Sequence, residues 1–201
     1  MSTMDGTESG KALQYSKVWN LPNILTYGRI VAVPIVAGLL LWGGDTARLT
    51  ALAIYVLAAI SDFFDGYLAR RWKQQSSLGR MLDPIADKVL VAVVLLVLCA
   101  DSILAGGHIW AAIIILSREV LVSGLREYLG ELQVSVPVTK IAKWKTTVQL
   151  VSIGFLIAGP AGDRFVPYTT EIGIGMLWIA AGLTLYTGYD YFRAGIRHVV
   201  D

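Results

Sequence analysis

The chain has 201 residues, 55% of them hydrophobic and only 16% charged, with a positive mean hydropathy. A water-soluble domain carries about 25% charged residues, so an ordinary soluble globule is excluded; the net charge of +2 says little by itself, because its distribution matters more than the sum, and no nucleic-acid partner is expected. The single cysteine, Cys99, excludes an internal disulfide framework.

Residues 1–18 are polar and lack both an apolar core and a small-residue cleavage site, so no removable signal peptide is expected. They read as a short soluble tail running into an interfacial segment around Trp19 and Pro22, which divides the chain into 1–21 and a membrane domain over 22–201. Six apolar stretches follow, at 23–42, 49–70, 81–100, 109–127, 141–159 and 172–191. Each is about 20 residues long, the length of a bilayer-spanning helix. Glycine, proline or charge separates them. The expected fold is therefore an all-α integral membrane protein, a six-transmembrane-helix bundle.

With the N-terminus inside, every one of the 17 basic residues except Arg48 and Arg164 falls toward the cytoplasmic ends of the spans. This places both termini in the cytoplasm. Ionisable residues within the spans crowd the same ends, and the other halves are nearly pure hydrocarbon. An ion pathway needs polar groups through the full depth, and no long internal repeat of the transporter kind is visible. The pattern describes a polar cavity open to the cytoplasm and the inner headgroup layer, suited to a lipid whose head meets a water-soluble partner.

Several residues have ordinary structural readings. Trp19, Trp42, Trp72, Trp110 and Trp144 lie near span ends, as interfacial aromatics do. His108 and His198 have no ligand partner at useful spacing. Gly173, Gly175, Gly182 and Gly188 would allow close helix packing, including at a subunit contact.

Four aspartates resist such a reading. Asp62 and Asp65 end the second stretch, and Asp83 and Asp87 open the third. Helical spacing puts the first pair about 60° apart and the second about 40° apart, so each pair shares a face. The short basic link over 71–80 makes the two stretches antiparallel neighbours and brings both pairs to one depth. Four aspartates inside a bilayer would cost on the order of 10 kcal/mol before partners are counted, and clustered carboxylates must bind cations or protonate. Oxygen ligands without a His/Cys cluster favour Mg²⁺, Mn²⁺ or Ca²⁺ over zinc. Gly66, Ala69 and Gly79 clear side-chain bulk beside the carboxylates, leaving room for a flat ligand or for close helix packing.

The string Asp62-x2-Asp65-Gly66-x2-Ala69-Arg70-x8-Gly79-x3-Asp83-x3-Asp87 resembles the signature of the CDP-alcohol phosphotransferase family in every fixed position. The resemblance implies a six-helix bundle that binds a CDP-linked donor and one or two divalent ions, Mg²⁺ or Mn²⁺. It implies that Asp62, Asp65 and Asp83 are ligands and that Asp87 is both ligand and base on the acceptor hydroxyl. Gly66, Ala69 and Gly79 would border the cytidine, Arg70 would face the diphosphate, and Asp62 would belong to the donor site as well. Members are commonly homodimers. Thr26 and Arg29 are candidates for the donor phosphates or for anchoring the first span. Intramembrane prenyltransferases also use aspartate pairs, but not this spacing after Ala69-Arg70.

The acceptor must be read elsewhere. Arg118, Arg126, Lys143 and Lys145 supply four cations beyond the donor's needs, which suits a phosphorylated acceptor. The segments 20–26 with Arg29, 79–88, 118–127 and 142–147 resemble the branch of the family that joins CDP-diacylglycerol to sn-glycerol 3-phosphate. On that resemblance the chain sits in a bacterial inner membrane among its lipids, with the site facing the cytoplasm. An enzyme with another acceptor, phosphatidylglycerol or an inositol phosphate, is the alternative.

Overall fold

A computed structural model describes residues 21–72, 77–134 and 140–196, and within these the side chains of 21–22, 62–72, 77–78, 80, 140, 142 and 194 fall outside the description. The expected tail and interfacial segment, residues 1–20, lie outside the described residues. Among those described there are six α-helices: α1 (Leu21–Trp42), α2 (Asp45–Trp72), α3 (Ser77–Ala100), α4 (Ile109–Glu131), α5 (Lys140–Gly162) and α6 (Thr169–Ile196). A single 3-10 turn, Gly106–His108, precedes α4. No strand occurs among the described residues, so the all-helical expectation holds.

Each helix covers one apolar stretch and overruns it, α2 and α6 reaching 28 residues. By length and composition alone, three windows suffice to cross a membrane: Asn23–Trp42, Gly106–Glu131 and Thr169–Arg193. The other three helices are as long but carry more polar residues, the aspartates included.

Local chemistry sets the ends. Gly43 and Gly44 adopt φ of +80° and +87°, a left-handed path open to glycine, and reverse the chain between α1 and α2. Asp45 in the first turn of α2 and Glu171 in that of α6 complement the helix dipole, as does Arg193 at the far end of α6. The Asp163 carboxylate accepts from the Thr169 backbone N–H at 2.9 Å, satisfying one orphan donor where α6 begins.

The sequence places a break at Pro160. The chain instead kinks there and stays helical to Gly162, because Gly159 takes φ 49°, ψ −138° ahead of the proline. A Cβ at Gly159 would lie 3.0 Å from the Arg48 guanidinium. Arg48 donates to the Ile157 carbonyl at 3.3 Å and pairs with Asp101, so it ties the start of α2 to the end of α3 and to the kink of α5.

The helices alternate in direction. Leu52 and Tyr55 of α2 lie beside Gly154 of α5, and the Tyr55 hydroxyl donates to the Leu150 carbonyl at 3.1 Å. With Arg48 beside Gly159, these contacts fix an antiparallel register. Continued along the helix, that register carries Asp62 to the level of Lys143–Lys145. In α4 and α6, Arg118 lies against Gly188 and Leu129 against Gly195, so these two helices run parallel.

The apolar core is drawn from all six helices, through Val36, Leu40, Ala51, Val94, Leu95, Leu98, Ile115, Ile153, Leu156, Ile157 and Leu177. Burying a side chain of this size contributes about 1.5–3 kcal/mol relative to water. Within a bilayer, close packing against neighbours replaces that driving force.

One expectation about neighbours changes. Over the described residues α1 packs against both α2 and α3, and the aspartate-bearing helices α2 and α3 share little direct packing. The short link tethers their ends but does not decide which helix fills the groove between them. Of the four packing glycines, Gly173 lies against Leu156 and Gly188 against Arg118, whereas Gly175 and Gly182 have open space beside them.

Candidate functional site

The buried stripe of α1 runs Asn23, Thr26, Arg29, Val33, Val36, Leu40, each step three or four residues. Its first half is polar and its second apolar, so one helix face builds both the site and the core beneath it. On α3 the same succession appears as Asp83 and Asp87, then Leu90, Val91, Val94, Leu95 and Leu98. On these two faces the polar residues thereby lie at one end and the apolar ones beyond them.

The two stripes meet. Thr26 Oγ1 donates to Asp83 Oδ1 at 2.5 Å, and Arg29 Nη1 donates to Asp87 Oδ1 at 2.6 Å. Thr26 and Arg29 are each 1% exposed, whereas the Asp87 side chain is 47% exposed. Thr26 and Arg29, candidates for the donor phosphates or for anchoring the first span, thus hold the carboxylates of Asp83 and Asp87. Gly79 is buried one turn before Asp83. The side chains of Asp62, Asp65, Gly66, Ala69 and Arg70 lie outside the described residues, though their backbone continues α2.

Among the described residues no three His, Cys, Asp or Glu side chains cluster around a metal position. The donor set that can be described, the Asp83 and Asp87 carboxylates one helical turn apart, is all oxygen and fits a hard divalent ion. Asp62 and Asp65 would bring oxygen donors from α2.

The basic residues of α4 and α5 divide. Lys145 is 5% exposed and its ammonium pairs with Glu119. Arg118 lies 3.7 Å from that carboxylate and donates through Nη2 to Thr187 Oγ1 of α6 at 3.1 Å. Arg126 is exposed, its guanidinium 5.5 Å from the Tyr191 ring centroid, a cation–π contact. Lys143 is exposed. Arg118 and Lys145 therefore form one buried pair around Glu119, with Arg126 and Lys143 nearer the periphery.

Asn23, Glu119 and Thr187 are not among the candidates the sequence yields. Asn23 was signalled by its three-residue step from Thr26. Thr184 and Thr187, three apart in an apolar helix, were the corresponding signal on α6.

An apolar groove of about 760 Å³ runs along α2 and α5 from Gly162 and Thr169 at the opposite end toward this one, lined by Leu52, Tyr55, Ala59 and Phe155 among others. It reaches Ile60, two residues before Asp62.

A family model described as CDP-alcohol phosphatidyltransferase matches residues 19–186. Three relatives bear the name CDP-diacylglycerol–glycerol-3-phosphate 3-phosphatidyltransferase, the last as form 2. The protein of Cereibacter sphaeroides is 40% identical, across 91% of this chain and 98% of its own. That of Rickettsia bellii is 45% identical, across 87% and 94%. That of Arabidopsis thaliana is 37% identical, across 89% and 80%.

Proposed function

The chain belongs to the CDP-alcohol phosphatidyltransferase family, and on that premise we propose that it transfers the phosphatidyl group of CDP-diacylglycerol to sn-glycerol 3-phosphate, giving phosphatidylglycerophosphate and CMP. The observation that carries this reading is the shared end of the bundle. There the Thr26–Asp83 and Arg29–Asp87 contacts brace half of the aspartate motif, level with the buried Arg118–Glu119–Lys145 group.

The chemistry follows from the residues. The acceptor hydroxyl oxygen attacks the phosphorus that bears diacylglycerol, a new P–O bond forms, and the bond to the CMP phosphate breaks. Asp87, half-exposed and held by Arg29, takes the hydroxyl proton. Asp62, Asp65, Asp83 and Asp87 would hold one or two Mg²⁺ or Mn²⁺ ions. Bound there, the ions would neutralise the diphosphate and stabilise charge on the attacking and leaving oxygens. Arg118 and Lys145 bind the phosphate of the acceptor, and Arg126 and Lys143 draw it in. The donor's cytidine and diphosphate lie by Gly66, Ala69, Arg70 and Gly79, and one of its acyl chains follows the groove between α2 and α5, whose apolar lining leads away from Asp62.

All six helices cross the bacterial inner membrane in this reading, with both termini and the site at the cytoplasmic face. The distribution of lysine and arginine supports that orientation. The enzyme pairs as a homodimer, for which the open flank of α6 at Gly175 and Gly182 offers a close-packing surface.

The test is CMP release by the purified protein from CDP-diacylglycerol with a panel of acceptors: glycerol 3-phosphate, phosphatidylglycerol, inositol phosphate and serine. Turnover with glycerol 3-phosphate is expected. Failure with it, alongside success with another acceptor, ends the assignment.

A further inference from the structure

Arg118 and Lys145 sit where a side-chain cation is hard to keep. Lys145 is 5% exposed and the Arg118 side chain 13%. Removing an ammonium from water without a counter-charge costs several kcal/mol. Glu119 answers both, pairing with the Lys145 ammonium and lying 3.7 Å from Arg118 Nη1. One carboxylate between two cations leaves the group with positive charge in excess, the balance an incoming anion would neutralise.

The arginine is held from a second side. A Cβ on Gly188 would lie 2.9 Å from Arg118 Cγ and 3.2 Å from its Nε, so the arginine stem is laid directly on α6 where that helix has no side chain. One residue earlier, the Thr187 hydroxyl donates to the Leu183 carbonyl at 2.8 Å. Its single proton is therefore used within its own helix, and its oxygen accepts from Arg118 Nη2. Consecutive residues project about 100° apart on a helix, so Arg118 and Glu119 converge through these outside contacts and not through their place on α4. The same three helices hold buried polar atoms with no partner among the described residues: Arg118 Nε, Gln149 Oε1 one turn beyond Lys145, and Thr184 Oγ1 one turn before Thr187. Orphaned polar atoms at this density mark a polar ligand's neighbourhood better than a finished core.

We propose that Glu119 and Thr187 are positioning residues for the acceptor's phosphate monoester: they preset Arg118 and Lys145 as a pair of aimed cations, so that the dianion binds without having to order either side chain. Glu119 touches neither substrate in this arrangement. It acts through Lys145, and Thr187 acts through Arg118. The inference rests on the acceptor site of the proposed function.

Positioning and bulk charge predict opposite signs. If Glu119 mattered only as a negative charge near an anion site, its removal would strengthen acceptor binding. If it positions, removal weakens binding, because two cations then repel one another and lose their fixed directions.

The experiment measures CMP release by the purified full-length protein, varying glycerol 3-phosphate at saturating CDP-diacylglycerol and then the reverse. Glu119→Gln should raise KM for glycerol 3-phosphate about tenfold and Thr187→Val about threefold, with KM for CDP-diacylglycerol within about twofold of wild type. Glu119→Asp, which restores the charge at shorter reach, should recover part of the loss. An unchanged or lowered KM for glycerol 3-phosphate, or equal rises in both KM values, overturns the inference. If Glu119→Gln yields no folded protein, Thr187→Val decides the question alone, since it keeps the side chain's shape and removes only the hydroxyl that accepts from Arg118. A wild type inactive with glycerol 3-phosphate overturns the acceptor assignment itself and this inference with it. An active wild type with unshifted variants overturns this inference only.

Discussion

Arg29 of α1 and Asp87 of α3 meet at 2.6 Å across two helices, the arginine almost fully buried and the carboxylate half-exposed. The pair is asymmetric by construction. The cation is an anchor in the bundle wall, and the anion it holds remains open toward the polar end.

That asymmetry predicts the effect of Arg29→Gln. Loss of a hydrogen bond to a charged group removes about 1.5–3 kcal/mol, so the unfolding midpoint in detergent should fall. Turnover should drop about tenfold or more as Asp87 loses its orientation. Thr26→Val, which removes a neutral donor from Asp83, should do less on both measures. Equal activity in all three proteins would show that the carboxylates are oriented without α1.

Asp87→Asn keeps the shape of the side chain and removes its ability to take a proton. Turnover should fall at least about 10²-fold, the low end of general-base contributions, while binding of CDP-diacylglycerol, followed by equilibrium titration, persists. Wild-type-like activity in the folded variant would remove Asp87 from the base role.

Chelation tests the carboxylate site as a whole. Treatment with EDTA should abolish CMP release, and Mg²⁺ or Mn²⁺ should restore it, because four carboxylates offer only hard oxygen donors. Full activity after exhaustive chelation would mean that Asp62, Asp65, Asp83 and Asp87 work without a divalent ion.

Two glycines, Gly162 of α5 and Gly188 of α6, should separate stability from specificity. A Cβ at Gly162 would lie 2.6 Å from Thr169 Cγ2 and 3.0 Å from Ala158 Cβ, at the end of α5 far from the aspartates. Gly162→Ala should destabilise by about 1–3 kcal/mol, the range for overpacking, with KM for glycerol 3-phosphate unchanged. Gly188→Ala presses on the stem of Arg118 and should raise KM for glycerol 3-phosphate. Thermal unfolding and steady-state kinetics on the two variants would show whether the effects divide this way.

Much of the protein was readable in advance because the relevant forces act along a single helix. Hydrocarbon runs of bilayer length gave six helices, and the step of three or four residues put Asp83 with Asp87, and Thr26 with Arg29, on common faces. The continuation of Pro160 into α5 was not readable. It depends on Gly159 and on Arg48, a residue more than 100 positions away that fills the space beside it.

The sequence by itself determined the membrane character, the helices and the aspartate motif, because composition, periodicity and motif spacing are properties of contiguous residues. Only the tertiary structure decided that Thr26 and Arg29 face Asp83 and Asp87, that α1 and not α2 packs beside α3 over the described residues, and that Arg118 and Lys145 converge on Glu119 while Arg126 and Lys143 stay exposed. Which side chain answers a buried charge depends on which helix lies opposite. Residues 57 or 58 positions apart in the first case, and Lys145 and Glu119, 26 apart, in the second, meet only once the bundle has closed.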